Sequence, residues 1–394
     1  MSSLPEQSMP ESIAQDTGVQ PRPQAPGRVR LFFLDHLRAA LTILVVLHHL
    51  AVIYGANAAF YYVEPPGPRD RLAFLLLLLF VLFNQAFFMG FFFLISGYFT
   101  PGSFDRKGPE VFFKDRLLRL GIPLAIYVLV LSPIASIGLY QMPSSLTHLP
   151  PFSWQQFPNL LGVGPLWFAE MLLIFGLGYV IWRHNRGQTE PPERVYPPPS
   201  YLAVGLFILA LAASSYVIRI VVPLALTIPF FGFPTLAYLP QYLSFFILGA
   251  IAFRRNWFQT IPGDLGKMGF VLAAVSTIVL FPLAFSGDFL GNGHWQSAVY
   301  ALWDSAFSVG MCLGLLTLFR RFFNRQSRSG RFLSQQAFTV YIIHIPVIVL
   351  MALALRGIQL ESLLKFAMVA LIGVPLCFVL ASLVRKIPFA SRIL

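Results

Sequence analysis

Charged residues are scarce in this sequence. Asp, Glu, Lys and Arg make up 11% of its 394 residues, whereas a soluble globular protein carries about a quarter. Hydrophobic residues make up 57%, and 40 of them are phenylalanines. So few charges cannot provide a polar surface, which excludes a soluble fold. We therefore predict an all-α, polytopic helical bundle in the cell membrane.

Cysteine is almost absent as well. Cys312 and Cys377 both fall in apolar stretches, which supports neither a disulfide framework nor a metal site. No loop is long enough to hold a soluble domain. The first 30 residues lack the apolar core and cleavage-like site of a signal peptide. We expect them to form a disordered cytoplasmic tail.

Hydropathy predicts about ten transmembrane helices of bilayer length. The predicted spans are 32–54, 72–99, 117–139, 165–182, 201–222, 236–253, 268–285, 298–319, 337–354 and 362–384. With the N-terminus inside, the cytoplasmic segments hold 22 of the 28 Lys and Arg residues. The outer segments hold only Arg69, Arg71, Arg219, Arg356 and Lys365. This asymmetry predicts that both termini are cytoplasmic. The net charge of +12 is then an orientation signal rather than a nucleic-acid patch.

The first span carries two ionisable side chains, Arg38 and His49. Eleven residues of α-helix leave them about 20° apart around the axis and about 16 Å apart along it. Ionisable groups at membrane depth usually face the bundle interior and mark function. Asp35, three residues before Arg38, is placed for an ion pair with it. His48 points about 100° away from His49 and is the weaker candidate.

Arg116 and Arg119 stand at the cytoplasmic start of the third span. Three residues apart, they are predicted to share a helix face. Two guanidinium groups on one face suit phosphate binding. Positive-inside anchoring explains them equally well, so both interpretations stay open.

Two later spans carry further polar residues. Near the outer end of span 4, Trp167 fits an interfacial aromatic belt, and Glu170 could orient an imidazole or hold a hydroxyl. In span 9, Tyr341 and His344 share a face, and Pro346 predicts a kink with freed backbone groups. His344 either takes part in the mechanism or satisfies that kink.

These motifs together resemble acyltransferase family 3, whose members move acyl groups from coenzyme A to sugar or other hydroxyls. The matching segments are Arg38 to His49, Phe91 to Tyr98 with Ser96 and Gly97, Arg116 with Arg119, Gly164 to Glu170, and Tyr341 to Pro346. The resemblance covers roughly 31–385 and is greatest to the periplasmic glucan succinyltransferase branch. It implies three segments: the tail 1–30, a transmembrane acyltransferase domain 31–385 and a short cytoplasmic tail 386–394.

The resemblance also implies a transmembrane transfer from cytoplasmic acyl-CoA, a co-substrate rather than a bound cofactor, with no metal. His49 and Arg38 would be catalytic. The predicted acyl-CoA-binding residues are Arg116, Arg119, Arg38 and Ser96, and those on the acceptor side are Glu170, Trp167, Tyr341 and His344. Ser96, Tyr341 or His344 could polarise the oxyanion. The acceptor would be a hydroxyl of a glycan, lipid or small molecule.

Three other functions compete with this interpretation. Arg, His and Glu at membrane depth also build transporters and proton-coupled channels, although the inverted repeats common in transporters are not found. A non-catalytic sensor or scaffold, and a membrane enzyme of another reaction class, are the remaining alternatives. The sequence does not distinguish direct general-base catalysis from an acyl-histidine route.

Overall fold

In the part of the chain that it describes, a computed structural model of the protein contains ten long apolar helices. The structure describes residues 30–394 except 57, 65–66, 68–69, 187–195 and 225–235, and the side chain of residue 392. The predicted tail therefore lies outside the described residues, except for Arg30. Within the described ranges no strand occurs. The prediction of an all-α membrane bundle is confirmed.

The ten helices are long and apolar enough to cross a bilayer. They are α1 Phe32–Gly55, α2 Arg71–Lys107, α3 Pro109–Gln141, α4 Trp154–Arg186, α5 Tyr201–Val221, α6 Leu236–Arg254, α7 Gly263–Ala284, α8 Trp295–Phe322, α9 Arg328–Ala354 and α10 Ser362–Val384. Short helices follow at Ser144–Thr147, Trp257–Thr260 and Ala390–Ile393. Each predicted span coincides with one long helix. Several helices run past the predicted ends, because hydropathy detects only the apolar part of a helix and not its polar ends.

Helices α3 and α4 contain turns that are not α-helical. Helix α3 contains π-helical turns at Leu117–Gly121 and Tyr127–Leu131. Helix α4 opens with 3₁₀ turns at Trp154–Leu160 and Gly164–Leu166. Such local changes of helical pitch often occur at functional sites.

Glycines bring neighbouring helices into backbone contact. A Cβ on Gly97 of α2 would fall on the carbonyl oxygen of Phe246 in α6, and Gly249 of α6 meets α2 in the same way. Gly269 of α7 and Gly310 of α8 face each other's backbones similarly. Because lipid is as apolar as the side chains, close packing of this kind is what holds membrane helices together. The Ser-Gly segment of α2 therefore packs on the backbone of α6 at Gly97.

Helices α1, α8 and α9 are the most buried, whereas α3, α5, α7 and α10 turn more surface outward. The buried helices also carry many of the buried polar side chains: Thr42, His48, Asp304, Ser305, Ser308, Gln336, Thr339 and His344. A polar group in the bundle interior avoids the cost of facing hydrocarbon. The polar chemistry of the protein is therefore at its centre.

Candidate active site

Helix α1 positions the polar stripe predicted from the sequence. It is unbroken from Phe32 to Gly55, so Arg38 and His49 keep their separation of about 20° and 16 Å. Thr42 lies between them, buried, with its hydroxyl donating to the Arg38 carbonyl at 2.9 Å. The cation and the imidazole therefore lie on one side of a central helix.

His49 contacts His344 of α9. His49 Nδ1 lies 2.9 Å from the Val45 carbonyl and 3.1 Å from His344 Nε2. On the far side of the second ring, His344 Nδ1 lies 2.8 Å from the Tyr341 carbonyl. The two imidazoles thus form a hydrogen-bonded pair between the two helices.

One set of tautomers satisfies all of these bonds. Carbonyl oxygens only accept, so His344 Nδ1 and His49 Nδ1 must both carry hydrogen. Neutral His344 then accepts on Nε2 from the single His49 Nδ1 hydrogen, which is shared with the Val45 carbonyl. His49 Nε2 is left as a bare lone pair, with no hydrogen-bond partner among the described residues. A lone pair on an imidazole fixed at its other nitrogen is suited to accept a proton.

The loop that follows α1 covers the imidazole of His49. Phe60 stacks on it with a centroid separation of 5.3 Å and an interplanar angle of 19°. Next to it, the Tyr127 hydroxyl donates to the Tyr61 hydroxyl at 3.3 Å, which ties the loop to the second π-turn of α3. Residues 58–64 therefore restrict access to His49 from the side where α1 ends.

The 3₁₀ turn of α4 at Gly164–Leu166 lies beside the histidine pair. The Tyr341 hydroxyl donates to the Pro165 carbonyl. Gly164 has a φ of +46°, and a Cβ there would lie 2.5 Å from the Tyr61 hydroxyl and 2.6 Å from that of Tyr127. Only glycine adopts this conformation readily and leaves room for the two hydroxyls.

Tyr341 and His344 share a face of α9, as predicted, with their rings stacked at 6.2 Å. Helix α9 continues through Pro346 as a single element. His344 bonds the Tyr341 carbonyl through one nitrogen and His49 through the other. Its part in the mechanism stays a prediction, and the carbonyl it bonds is not the one left without a donor by Pro346, which is that of Ile342. Since the Tyr341 hydroxyl and His344 Nε2 are both engaged, neither is a free donor for an oxyanion in this arrangement.

His48 is buried in different surroundings. Its ring packs on Phe88 of α2 at 4.9 Å, and its Nδ1 has no hydrogen-bond partner among the described residues. It meets His49 edge-on at 5.3 Å. As predicted, the side chains of His48 and His49 point in different directions from α1.

Trp167 and Glu170 both lie in the first turn of the α-helical part of α4, Trp167–Arg186, but differ in surroundings. The expectation of a belt tryptophan is wrong. Trp167 is only 9% exposed, and its ring packs on Tyr242 of α6 at 5.4 Å. Glu170 Oε2 is buried without a hydrogen-bond partner in the described structure. No hydrogen bond joins Glu170 to His49 or His344 among those residues.

Arg116 reaches into the bundle from α3. Its Nη2 donates to Thr100 Oγ1 of α2 at 2.6 Å, and its guanidinium lies 4.7 Å from the centre of the Phe112 ring. Thr100 in turn donates to the Ser96 carbonyl at 2.8 Å. Arg116 is thus linked, through Thr100, to the Ser-Gly segment of α2. A guanidinium with one neutral partner keeps donors available for an anion.

Arg119 does not share the face of Arg116, so that expectation is wrong. The π-turn beginning at Leu117 widens the helix between them, and Arg119 is exposed. It lines a cleft of about 230 Å³ with Asp115 and Phe389 among others. The structure therefore brings Arg116, but not Arg119, to the bundle interior.

The expected ion pair between Asp35 and Arg38 is not found. In the part of the chain that the structure describes, no hydrogen bond or ion pair of the Arg38 guanidinium is seen; only a longer-range attraction to Asp35 is present. Ser96 is half-buried, and no hydrogen bond of its hydroxyl to a described residue is seen. Arg38 and Ser96 are both available for a ligand.

Two cations counted with the outer segments are in fact buried ion-pair partners. Arg219 lies 2.6 Å from Asp304 of α8, with both side chains at 3% exposure or less. Lys365 pairs with Glu64 and is also buried. From hydropathy, Arg219 and Lys365 are simply charged residues at helix ends. Their inward orientation depends on partners that are far away in the sequence, Asp304 and Glu64.

Sequence reasoning missed Phe60, Tyr127 and Thr100. Phe60 lies in a loop and Tyr127 in an apolar run, so neither carries a signal of its own. Thr100, four residues after Ser96, could have been suspected from the helical spacing alone. No group of three or more His, Cys, Asp or Glu side chains placed to hold a metal ion is found among the described residues.

A family profile described as an acyltransferase domain matches residues 31–382. The chain belongs to this acyltransferase family. Relatives named glucans biosynthesis protein C, from Salmonella schwarzengrund, Salmonella typhi and Salmonella typhimurium, are each 29% identical over 332 residues, covering 81% of this chain and 82% of theirs. No solved structure matches significantly.

The family membership and the helical bundle together make this protein a multi-pass membrane O-acyltransferase. The resemblance noted from the sequence motifs is confirmed. The roles of the individual side chains, the segment boundaries and the orientation of the termini stay predictions.

Proposed function

We propose that this acyltransferase moves an acyl group from cytoplasmic acyl-CoA to a hydroxyl at the outer side of the membrane. The observation that carries the proposal is the His49–His344 pair, which leaves His49 Nε2 bare at the far end of the Arg38 stripe. A base at membrane depth, about 16 Å from a cation, suits a donor with a charged head and a long neutral arm.

On the donor side, Arg38 and Arg116 would bind the phosphates of acyl-CoA. Neither guanidinium pairs with a carboxylate in the described part of the chain, and charge-assisted hydrogen bonds to phosphate are strong. Arg119 is exposed and would act earlier, by attracting the anion to the cytoplasmic mouth. Ser96, next to Arg116 through Thr100, would contact the arm.

At the reacting centre, His49 Nε2 would act as general base. It takes the proton of the acceptor hydroxyl while that oxygen attacks the thioester carbonyl carbon. The tetrahedral intermediate then expels the coenzyme A thiolate, which takes up the proton from His49. His344 would hold the Nδ1–H tautomer of His49 throughout, and so acts by positioning.

On the acceptor side, a carbohydrate is supported by the name of the relatives, glucans biosynthesis protein C. The unpartnered Oε2 of Glu170 could accept a hydrogen bond from a sugar hydroxyl. Trp167 would support that end of the site by packing on Tyr242 of α6. Tyr341 would support it through its hydrogen bond to the Pro165 carbonyl. Phe60 would have to move aside for the acceptor to reach His49.

The test is sidedness in sealed right-side-out vesicles. Labelled acyl-CoA loaded inside should support transfer to an acceptor supplied outside, and a His49→Ala protein inserted at the same level should not. Equal modification of acceptor sealed inside with the donor would contradict the transmembrane mechanism. Full activity of His49→Ala would remove this residue from the chemistry. A stable acylated wild-type protein without acceptor would favour an acyl-histidine route.

A further inference from the structure

A groove outside the candidate active site runs between α4 and α6. It has a volume of about 910 Å³, a size typical of ligand sites. Its walls repeat every three or four residues on each helix, so one face of α4 opposes one face of α6. The lining residues are Pro101, Met171, Ile174, Phe175, Gly178, Tyr179, Trp182, Leu236, Leu239, Leu243, Phe246, Ile247, Ala250, Ile251, Arg254 and Arg255. We call it the α4–α6 groove.

The α4–α6 groove is open at the surface of the bundle, on two helices that are apolar enough to span a membrane. Ile174 and Ile247, on opposite walls, are 49% and 50% exposed, although both belong to membrane-spanning helices. From Leu239 to Arg254 the groove follows α6 for about 22 Å, longer than one leaflet of a hydrocarbon core of about 30 Å. An apolar channel of this length in the bilayer is accessible to lipid chains.

The polar groups of the groove are concentrated at one end. Arg254 binds both oxygens of Asp105, at 2.6 and 2.9 Å. The adjacent Arg255 has its guanidinium 5.2 Å from the ring centres of Tyr196 and Trp257 and pairs with no carboxylate among the described residues. Arg254 shares the Asp105 carboxylate with Arg183, whereas Arg255 adds a cation with no carboxylate partner in the described structure, so this end of the groove carries a surplus positive charge.

We propose that the α4–α6 groove binds an anionic phospholipid, with its phosphate on Arg255 and Arg254 and its acyl chains along the apolar walls. By the charge asymmetry of the chain, this end lies in the cytoplasmic leaflet. Basic pockets between transmembrane helices on that side are suited to anionic headgroups. The ligand and the groove match in charge at one end and in apolarity along the rest.

The alternative occupant with phosphates, the acyl-CoA donor, fits less well. Its pantetheine arm carries amide groups, and burying these against a wall of Leu, Ile and Phe would leave them without hydrogen bonds, which is costly. A diacyl lipid has no polar group beyond its head and ester region. The distribution of polar atoms in the groove therefore favours lipid.

The test uses the purified full-length protein in detergent, titrated with phosphatidylglycerol or phosphatidylcholine and followed by native mass spectrometry. Wild type should bind phosphatidylglycerol in preference. Arg255→Gln should weaken that binding about tenfold, the loss of one charge-assisted contact. Arg325→Gln, another exposed cytoplasmic arginine outside the groove, should change nothing.

A second pair of variants tests the apolar part. A Cβ at Gly178 meets nothing within 4 Å, so Gly178→Phe can fill the groove without disturbing the helix. Gly205 of α5 is equally open but lies outside the groove, and Gly205→Phe is the matched control. Gly178→Phe should reduce retention of both lipids, whereas Gly205→Phe should not. Ile247→Trp, from the opposite wall, repeats the test if Gly178→Phe does not fold.

Three results would overturn the proposal. Wild-type retention of phosphatidylglycerol in both Gly178→Phe and Ile247→Trp would show that the groove is not the binding site. Equal retention of the two lipids by wild type would remove the role of the arginines. Displacement of phosphatidylglycerol by acyl-CoA, one for one, would assign the groove to the donor instead.

Discussion

Replacing His344 tests whether the histidine pair works by positioning or by proton transfer. In His344→Ala, His49 Nδ1 loses the contact of 3.1 Å to His344 Nε2 but keeps that of 2.9 Å to the Val45 carbonyl. The tautomer with hydrogen on Nδ1 is therefore still favoured. His49 Nε2 keeps its lone pair, although the ring is held by one bond instead of two.

The size of the effect follows from this geometry. One neutral hydrogen bond contributes about 0.5–1.5 kcal/mol, which corresponds to about a 2- to 13-fold fall in kcat if it is lost in the transition state. Removal of a true general acid or base costs about 10²–10⁴-fold. The two roles of His344 therefore predict effects that do not overlap. His344→Gln, whose amide oxygen can accept from His49, should recover part of the loss.

The assay is the transfer of labelled acyl groups by purified protein, with kcat and KM for the donor measured separately. A positioning role predicts a lower kcat and an unchanged donor KM. Because His344 is fully buried, each variant must first show a melting temperature and elution profile close to wild type. A well-folded His344→Ala protein that loses more than 10²-fold would refute the positioning role. An unchanged kcat would show that the pair has no part in catalysis.

Three further predictions follow from the site and its packing. His49→Ala should lower the rate of acyl transfer by about 10²–10⁴-fold, and His48→Ala should lower it much less. A larger effect of His48→Ala in the same assay would show that His49 is not the base. Arg116→Ala should weaken binding of a non-hydrolysable acyl-CoA analogue by more than tenfold, and Arg116→Lys should recover part of the loss. Replacement of the exposed Arg119 should weaken binding less. Equal losses of affinity for the two variants in a titration would contradict this difference. Gly97→Val should destabilise the protein by about 1–3 kcal/mol or more, because its side chain meets the backbone of α6; an unaltered thermal melt would show that the contact is not tight.

The sequence alone determined the membrane class, the ten spans and the chemistry of α1. These properties depend on local composition: a helix in hydrocarbon must be apolar along its length, and eleven residues fix an angle and a rise whatever surrounds them. The shared face of Tyr341 and His344 was predictable for the same reason. Departures from α geometry were not, since the π-turn that separates Arg116 from Arg119 depends on how α3 packs.

Tertiary structure alone decided which polar residues meet. His49 and His344 are 295 positions apart, and Arg219 and Asp304 are 85 apart. Each can be recognised in the sequence as a polar residue in an apolar span, but the local sequence does not predict which residue it contacts. The partner is set by which helices pack together, and this depends on the whole bundle rather than on any single span. The sequence thus supplies the reactive groups, and the packing of α1 against α9 joins two of them into a pair.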